Sequence, residues 1–157
     1  MKKEIAIAAC SAVALILFLG SASYLLFPPV SVQGYTASID VYTQNGGKGI
    51  NKPSGNFTLN MTLPPLVILY AEVKNASNMP VAGRLVSFEV HWPLNGSILF
   101  VGVNATDSLG LASYRFRIPP TNSSLGKWLV YATVDVNGQS LADTVTFFVA
   151  DPLPPFS

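Results

Sequence analysis

The chain has 157 residues, half of them hydrophobic, with 11% charged and a net charge of +1. From residue 28 onward seven basic side chains balance seven acidic ones, so no field draws this part toward nucleic acid. The same part holds no cysteine and one histidine, His91, which excludes a disulfide framework and leaves too few ligands for a zinc or copper site.

Residues 1–4, Met1-Lys2-Lys3-Glu4, precede an uncharged apolar run from Ile5 to Phe27. At 1.5 Å per helical residue, about 23 residues cross a hydrocarbon core of roughly 30 Å. Residues 5–27 are therefore expected to form a transmembrane α-helix or uncleaved signal anchor in contact with membrane lipid. Lys2 and Lys3 sit on one flank and Pro28-Pro29 on the other. The positive-inside rule then keeps residues 1–4 in the cytoplasm and sends the C-terminal part outside. A cleaved signal would use Leu19-Gly20-Ser21-Ala22-Ser23, but Tyr24 to Phe27 carries the apolar run past that point. A lipidated Cys10 would follow Ile7-Ala8-Ala9, yet only five apolar residues precede it. Cys10 reads instead as a small hydrophobe within the helix. A type IV pilin leader would need Gly or Ala at a processing point beside the lysines, and that residue is missing.

After a linker over 28–34, short alternating runs separated by Gly, Pro, Asn and Ser predict one β-sandwich over residues 35–150. The first strand is expected from Tyr35 to Thr43, with a short edge segment over Phe57 to Leu63. Further strands follow at Leu66–Lys74, Leu85–Trp92, Ile98–Val103, Leu111–Ile118, Trp128–Val136 and Ser140–Ala150. Asn137-Gly138 is a type I′ hairpin signal, since both residues tolerate positive φ. His91 falls at a strand end beside Trp92-Pro93. A Pro-rich tail, 151–157, ends the chain.

Period two assigns the inward face. Val67, Leu69, Ala71 and Val73 share one side; so do Val86, Phe88 and Val90, then Tyr114 and Phe116. Trp128, Val130, Ala132 and Val134 follow, with Val145, Phe147 and Val149 on the last strand. Leu66, Ile68, Tyr70, Leu129 and Tyr131 are left pointing outward, either as ordinary apolar surface shielded by the first strand and the Pro-rich ends or as two patches that a neighbouring subunit would cover.

Six N-x-S/T sequons stand at Asn56, Asn60, Asn75, Asn95, Asn104 and Asn122 among ten asparagines. Chance alone would place about one or two there, so the excess predicts glycosylation and an exterior surface. Turn-rich composition supplies part of that excess. If the first strand leads away from the membrane, Asn56, Asn60, Asn95 and Asn122 fall at the distal end. Asn75, Asn104 and the Asn137-Gly138 hairpin then lie at the proximal end.

Pro80-Val81-Ala82-Gly83, leading into Val86-Ser87-Phe88-Glu89-Val90, resembles a pattern of invasin-type Ig-like repeats and macroglobulin-like (MG2-like) domains. Thr106-Asp107-Ser108-Leu109-Gly110-Leu111-Ala112 resembles their turn. Gly126-Lys127-Trp128 through Val134 resembles their closing strand. The resemblance implies an all-β fold, a seven-stranded Ig-like β-sandwich, here expected as a lone copy behind the one N-terminal transmembrane α-helix read from the apolar run. It also implies an adhesive or structural role, with no catalytic residue and no cofactor. Pro80 and Gly83 would turn the chain, Asp107 would cap its own turn, and Gly110 would take a left-handed conformation.

Dense sequons without exterior cysteine point to an archaeal protein. The expected function is that of a single-pass, membrane-anchored extracellular Ig-like module with a structural, adhesive or accessory-subunit role. Its partners would be other membrane or cell-surface subunits or copies of itself. The alternative is a secreted filament or surface-layer subunit, assembled by strand donation from residues 30–43 after signal cleavage.

Overall fold

The computed structural model describes residues 36–49 and 53–152. The expected transmembrane helix, the linker and residues 153–157 of the tail lie outside the described residues. Among the described residues no helix is long and apolar enough to cross a membrane.

Among the described residues eight strands form: β1 Ser38–Thr43, β2 Phe57–Thr58, β3 Leu66–Lys74, β4 Leu85–His91, β5 Ile98–Ala105, β6 Leu111–Arg117, β7 Gly126–Val136 and β8 Gln139–Ala150. The seven main strands stand where the alternation placed them. The edge segment expected over Phe57 to Leu63 contracts to the two residues of β2. Chain direction reverses soon after it, where Asn60 Oδ1 accepts the N–H groups of Thr62 and Leu63 at 2.9 and 2.8 Å.

Two sheets stack face to face. One has the order β1-β3-β6 and the other β2-β8-β7-β4-β5. All pairings are antiparallel except β2 with β8, which is parallel. The arrangement is an Ig-like sandwich in which the fifth strand lies beside the fourth, as strand C′ does in variable-type domains. Residues 38–43, which belong to the segment considered for strand donation, pair with β3 of their own molecule.

The core follows the predicted alternation. Every assigned inward residue of β3, β4, β7 and β8 is buried. Trp128 sits at its centre with no exposed surface. Phe147 stacks on it at 5.8 Å, and Trp92 and Phe116 lie at 5.6 and 6.1 Å. Edge and offset contacts of this kind add to simple area burial. The indole N–H, which needs a partner once buried, donates to Ser124 O at 2.8 Å.

Local turns follow from their residues. Asp107 Oδ1 accepts the N–H groups of Leu109 and Leu111 at 2.8 and 3.0 Å, and Gly110 takes φ +73°. Asn137 and Gly138 take φ +55° and +81°, the sign a type I′ hairpin requires.

Candidate functional site: sequon loops and the open strand edge

Strand register fixes which loops share an end. β1 begins opposite Lys74, the last residue of β3, and β6 begins opposite Glu72. The loop carrying Asn75, the C-terminal half of β5 with Asn104, and the Asn137-Gly138 hairpin therefore lie at the end where β1 starts. Asn56, Asn60, Asn95 and Asn122 lie at the opposite end, beside Thr43, Arg117 and Ala150. The fold thus brings four sequons together and keeps two apart from them.

The six differ in what their side chains do. Asn60, Asn75 and Asn95 each accept, through Oδ1, the backbone N–H of their own sequon hydroxyl residue. The distances are 2.9 Å from Thr62, 2.9 Å from Ser77 and 3.0 Å from Ser97. Asn56 lies in extended chain, exposed together with Thr58. Asn104 is committed on both sides, accepting from Ala105 N–H at 2.9 Å and donating through Nδ2 to Ser113 O at 2.9 Å. Its partner hydroxyl, Thr106, is buried; it donates to Val81 O at 2.7 Å and accepts from Arg84 N–H at 2.9 Å. Asn122 is exposed, but Ser124 is fully buried and donates to Pro119 O at 2.6 Å.

Among the described residues, one apolar surface is not singled out by alternation. β5, among the described residues, is an edge strand, paired only to β4. Ile98, Leu99, Val101 and Val103 are 52, 38, 58 and 59% exposed, and Leu85 on β4 is 67% exposed. Natural edge strands are usually blunted by charge, proline or shortness. β5 has eight residues, none of them charged. Across the same outer face Val101 opposes Glu89, and Glu89 opposes the exposed Tyr131. Sequence reasoning missed this edge because Ile98 to Val103 is apolar at every position, so a period-two pattern cannot separate its faces.

Of the residues expected to point outward, Leu129 and Tyr131 do lie on the five-stranded sheet and Leu66, Ile68 and Tyr70 on the other. The second group is partly covered: Tyr42 stacks on Tyr70 at 5.4 Å, and Lys48 lies 5.3 Å above Tyr42. Lys48 also reaches Glu72 at 2.7 Å, holding that carboxyl below its ordinary range. Burial pushes the Tyr42 phenol up.

His91 ends β4 beside a shallow depression formed with Trp92, Pro93, Gly96, Lys127 and Tyr131. Its Nδ1 donates to Gly96 O at 2.8 Å, and its ring meets Tyr131 edge-on at 5.0 Å. Those contacts fix the imidazole as a brace for the tight loop after β4.

No family model matches this chain, and no curated protein matches it. Among solved structures, an engineered protein is similar with 14% identity and a TM-score of 0.47, over 72% of this chain and 20% of that one. The CARDB domain of a Pyrococcus furiosus protein, crystallised in complex with di-metal ions, is similar at 13% identity and a TM-score of 0.44. That likeness covers 80% of this chain and 98% of the domain. A Paenibacillus sp. cycloisomaltooligosaccharide glucanotransferase, complexed with cycloisomaltoheptaose, gives 13% and 0.43, over 71% of this chain and 13% of the enzyme. The chain therefore spans about a fifth of the first of these and about an eighth of the last.

Proposed function

We propose that this chain is a single-pass cell-surface protein whose Ig-like sandwich serves as a structural or accessory subunit, docking a neighbouring subunit along β5. Residues 5–27 anchor it, and residues 28–157 face the exterior. The apolar run and its lysine flank support the anchor, and the surface positions of all six sequon asparagines fit an exterior domain.

One observation carries the docking role. Val101 and Val103 project from an uncharged, unpaired strand edge with more than half of their surface in contact with water. Apolar edges of this length invite pairing with another chain unless something covers them.

The test is purification of the full chain from native membranes in mild detergent, beside Val101→Lys and Val103→Lys variants. The wild-type chain is expected to travel with a neighbour that both variants lose, at unchanged melting temperature. A wild-type chain that runs alone, indistinguishable from the lysine variants, would overturn the reading.

A further inference from the structure

We propose that the six sequons divide into four sugar acceptors, Asn56, Asn60, Asn75 and Asn95, and two structural positions, Asn104 and Asn122, that carry no glycan. The inference rests on the exterior placement of the domain. N-glycosylation joins the asparagine Nδ2 to the anomeric carbon of a lipid-phosphate-linked sugar. The sugar–phosphate C–O bond breaks, the lipid phosphate departs with its electron pair, and Nδ2 gives up one proton to the medium. A membrane transferase performing this step on folded chain needs a free amide and a reachable hydroxyl two residues further on.

Four sequons offer both. Thr58, Thr62, Ser77 and Ser97 are exposed, as are Asn56, Asn60 and Asn95, and Asn75 is half-buried. At Asn60, Asn75 and Asn95 the amide oxygen already accepts the N–H of its hydroxyl residue. That bond occupies Oδ1, while Nδ2 makes no hydrogen bond among the described residues. At Asn95 the Ser97 hydroxyl donates to the same oxygen at 2.8 Å, bringing both halves of the sequon together at the surface.

Two sequons do not offer both: Asn104 lacks a free amide and a reachable hydroxyl, and Asn122 is exposed but lacks a reachable hydroxyl. Thr106 is 4% exposed, with its hydroxyl spent on Val81 O and Arg84 N–H, and Asn104 spends its amide on Ser113 O. This sequon ties the loop after β3 and the edge of β6 to the end of β5. Ser124 has no exposed surface; its hydroxyl donates to Pro119 O and its carbonyl receives the Trp128 indole. Reaching either hydroxyl would require opening the sandwich. A transferase acting on the folded chain therefore leaves both bare, and a bare Asn104 leaves the β5 edge free of the bulky, hydrated sugar that would screen it.

Site-resolved glycopeptide mass spectrometry of the full chain from native membranes, combined with protease shaving of intact cells, tests the division. Sugar is expected at Asn56, Asn60, Asn75 and Asn95 and absent at Asn104 and Asn122. Asn60→Gln, Asn75→Gln and Asn95→Gln should each remove one glycan mass, whereas Asn104→Gln and Asn122→Gln should remove none. Sugar at Asn104 or Asn122 overturns the inference, because transfer must then precede folding. Six bare sequons on a domain that protease removes from intact cells overturn the inference alone. Six bare sequons on a domain shielded from that protease overturn the exterior placement as well.

Discussion

The ring of Tyr114 on β6 covers the backbone of Gly102 on β5, so that a β-carbon at position 102 would overlap the ring carbons. The two residues belong to different sheets, and their contact closes the sandwich under the open edge. The Tyr114 hydroxyl donates to Val101 O at 3.4 Å, and its ring stacks 6.0 Å from Phe88. Gly102→Ala should therefore lower stability by about 1–3 kcal/mol through overpacking alone, since its φ is not in the left-handed region. Urea unfolding of Gly102→Ala, Tyr114→Leu and the double variant checks this. The double variant should lose clearly less than the two singles added together, because the smaller Leu makes room for the methyl.

Much of this fold was legible because four strands alternate strictly. β3, β4, β7 from Trp128 and β8 from Val145 carry Val, Leu, Ala, Phe or Trp at every second position, and period two then leaves one choice of buried face. β5 carries no such information, being apolar on both faces. Its place beside β4 depends on a register shift at Val90/His91 that no local residue announces. The sequons present the same difficulty. Thr106 and Thr62 are equivalent in a motif, and only the packing of the loop after β3 turns one into a buried latch. Gly102 likewise looks like a weak point in a strand until Tyr114 is seen to occupy the space of its side chain.

The Thr106 latch should be costly to remove. Replacing it by Val keeps the shape but leaves Val81 O and Arg84 N–H without the hydroxyl that serves both. A buried polar group left without a partner costs about 1–3 kcal/mol. Thr106→Ser should retain most of the stability, since it keeps the hydroxyl. A thermal melt placing Thr106→Val level with wild type would remove the latch from the account.

Acid should weaken the three-stranded sheet through Glu72. Its carboxyl is held below the ordinary range first by the hydrogen bond from Lys48 and then by Lys74 at 3.1 Å, against the opposing pull of burial. A depressed folded pKa means that the folded state binds the proton less readily than the unfolded chain does. The contribution is therefore fully present above the unfolded value of 4.5 and lost as pH falls through the lower folded value. Lys48 is largely exposed, so the pair contributes no more than about 1 kcal/mol. Glu72→Gln should be slightly less stable than wild type at pH 7, and the gap should narrow at acid pH, below the unfolded value of 4.5. Equal stability at both pH values would show that the pair contributes nothing.

The hairpin between β7 and β8 should respond to substitution for a reason opposite to that at Gly102. Around Gly138 there is open space where a β-carbon would go, so no packing is at stake. Its φ of +81° is the obstacle, because an L side chain in the left-handed region costs roughly 1–2 kcal/mol. Gly138→Ala should lose about that amount, and a β-branched Gly138→Val more. Asn137 shares the positive φ and also accepts Arg84 Nη2 at 3.0 Å, tying the turn to the lead-in of β4. Asn137→Gly should therefore relieve backbone strain while losing an exposed hydrogen bond, leaving stability within about 0.5 kcal/mol of wild type. Amide hydrogen exchange gives the sharpest check, since fraying should start at the turn and spread along β7 and β8. Protection at Gly138 N–H, which donates to Asp135 Oδ1 at 2.9 Å, should fall in Gly138→Ala before that of Val130 does. A Gly138→Ala variant with unchanged protection would mean that the turn does not hold the register of these two strands, leaving that task to the buried row of Val130, Ala132 and Val134.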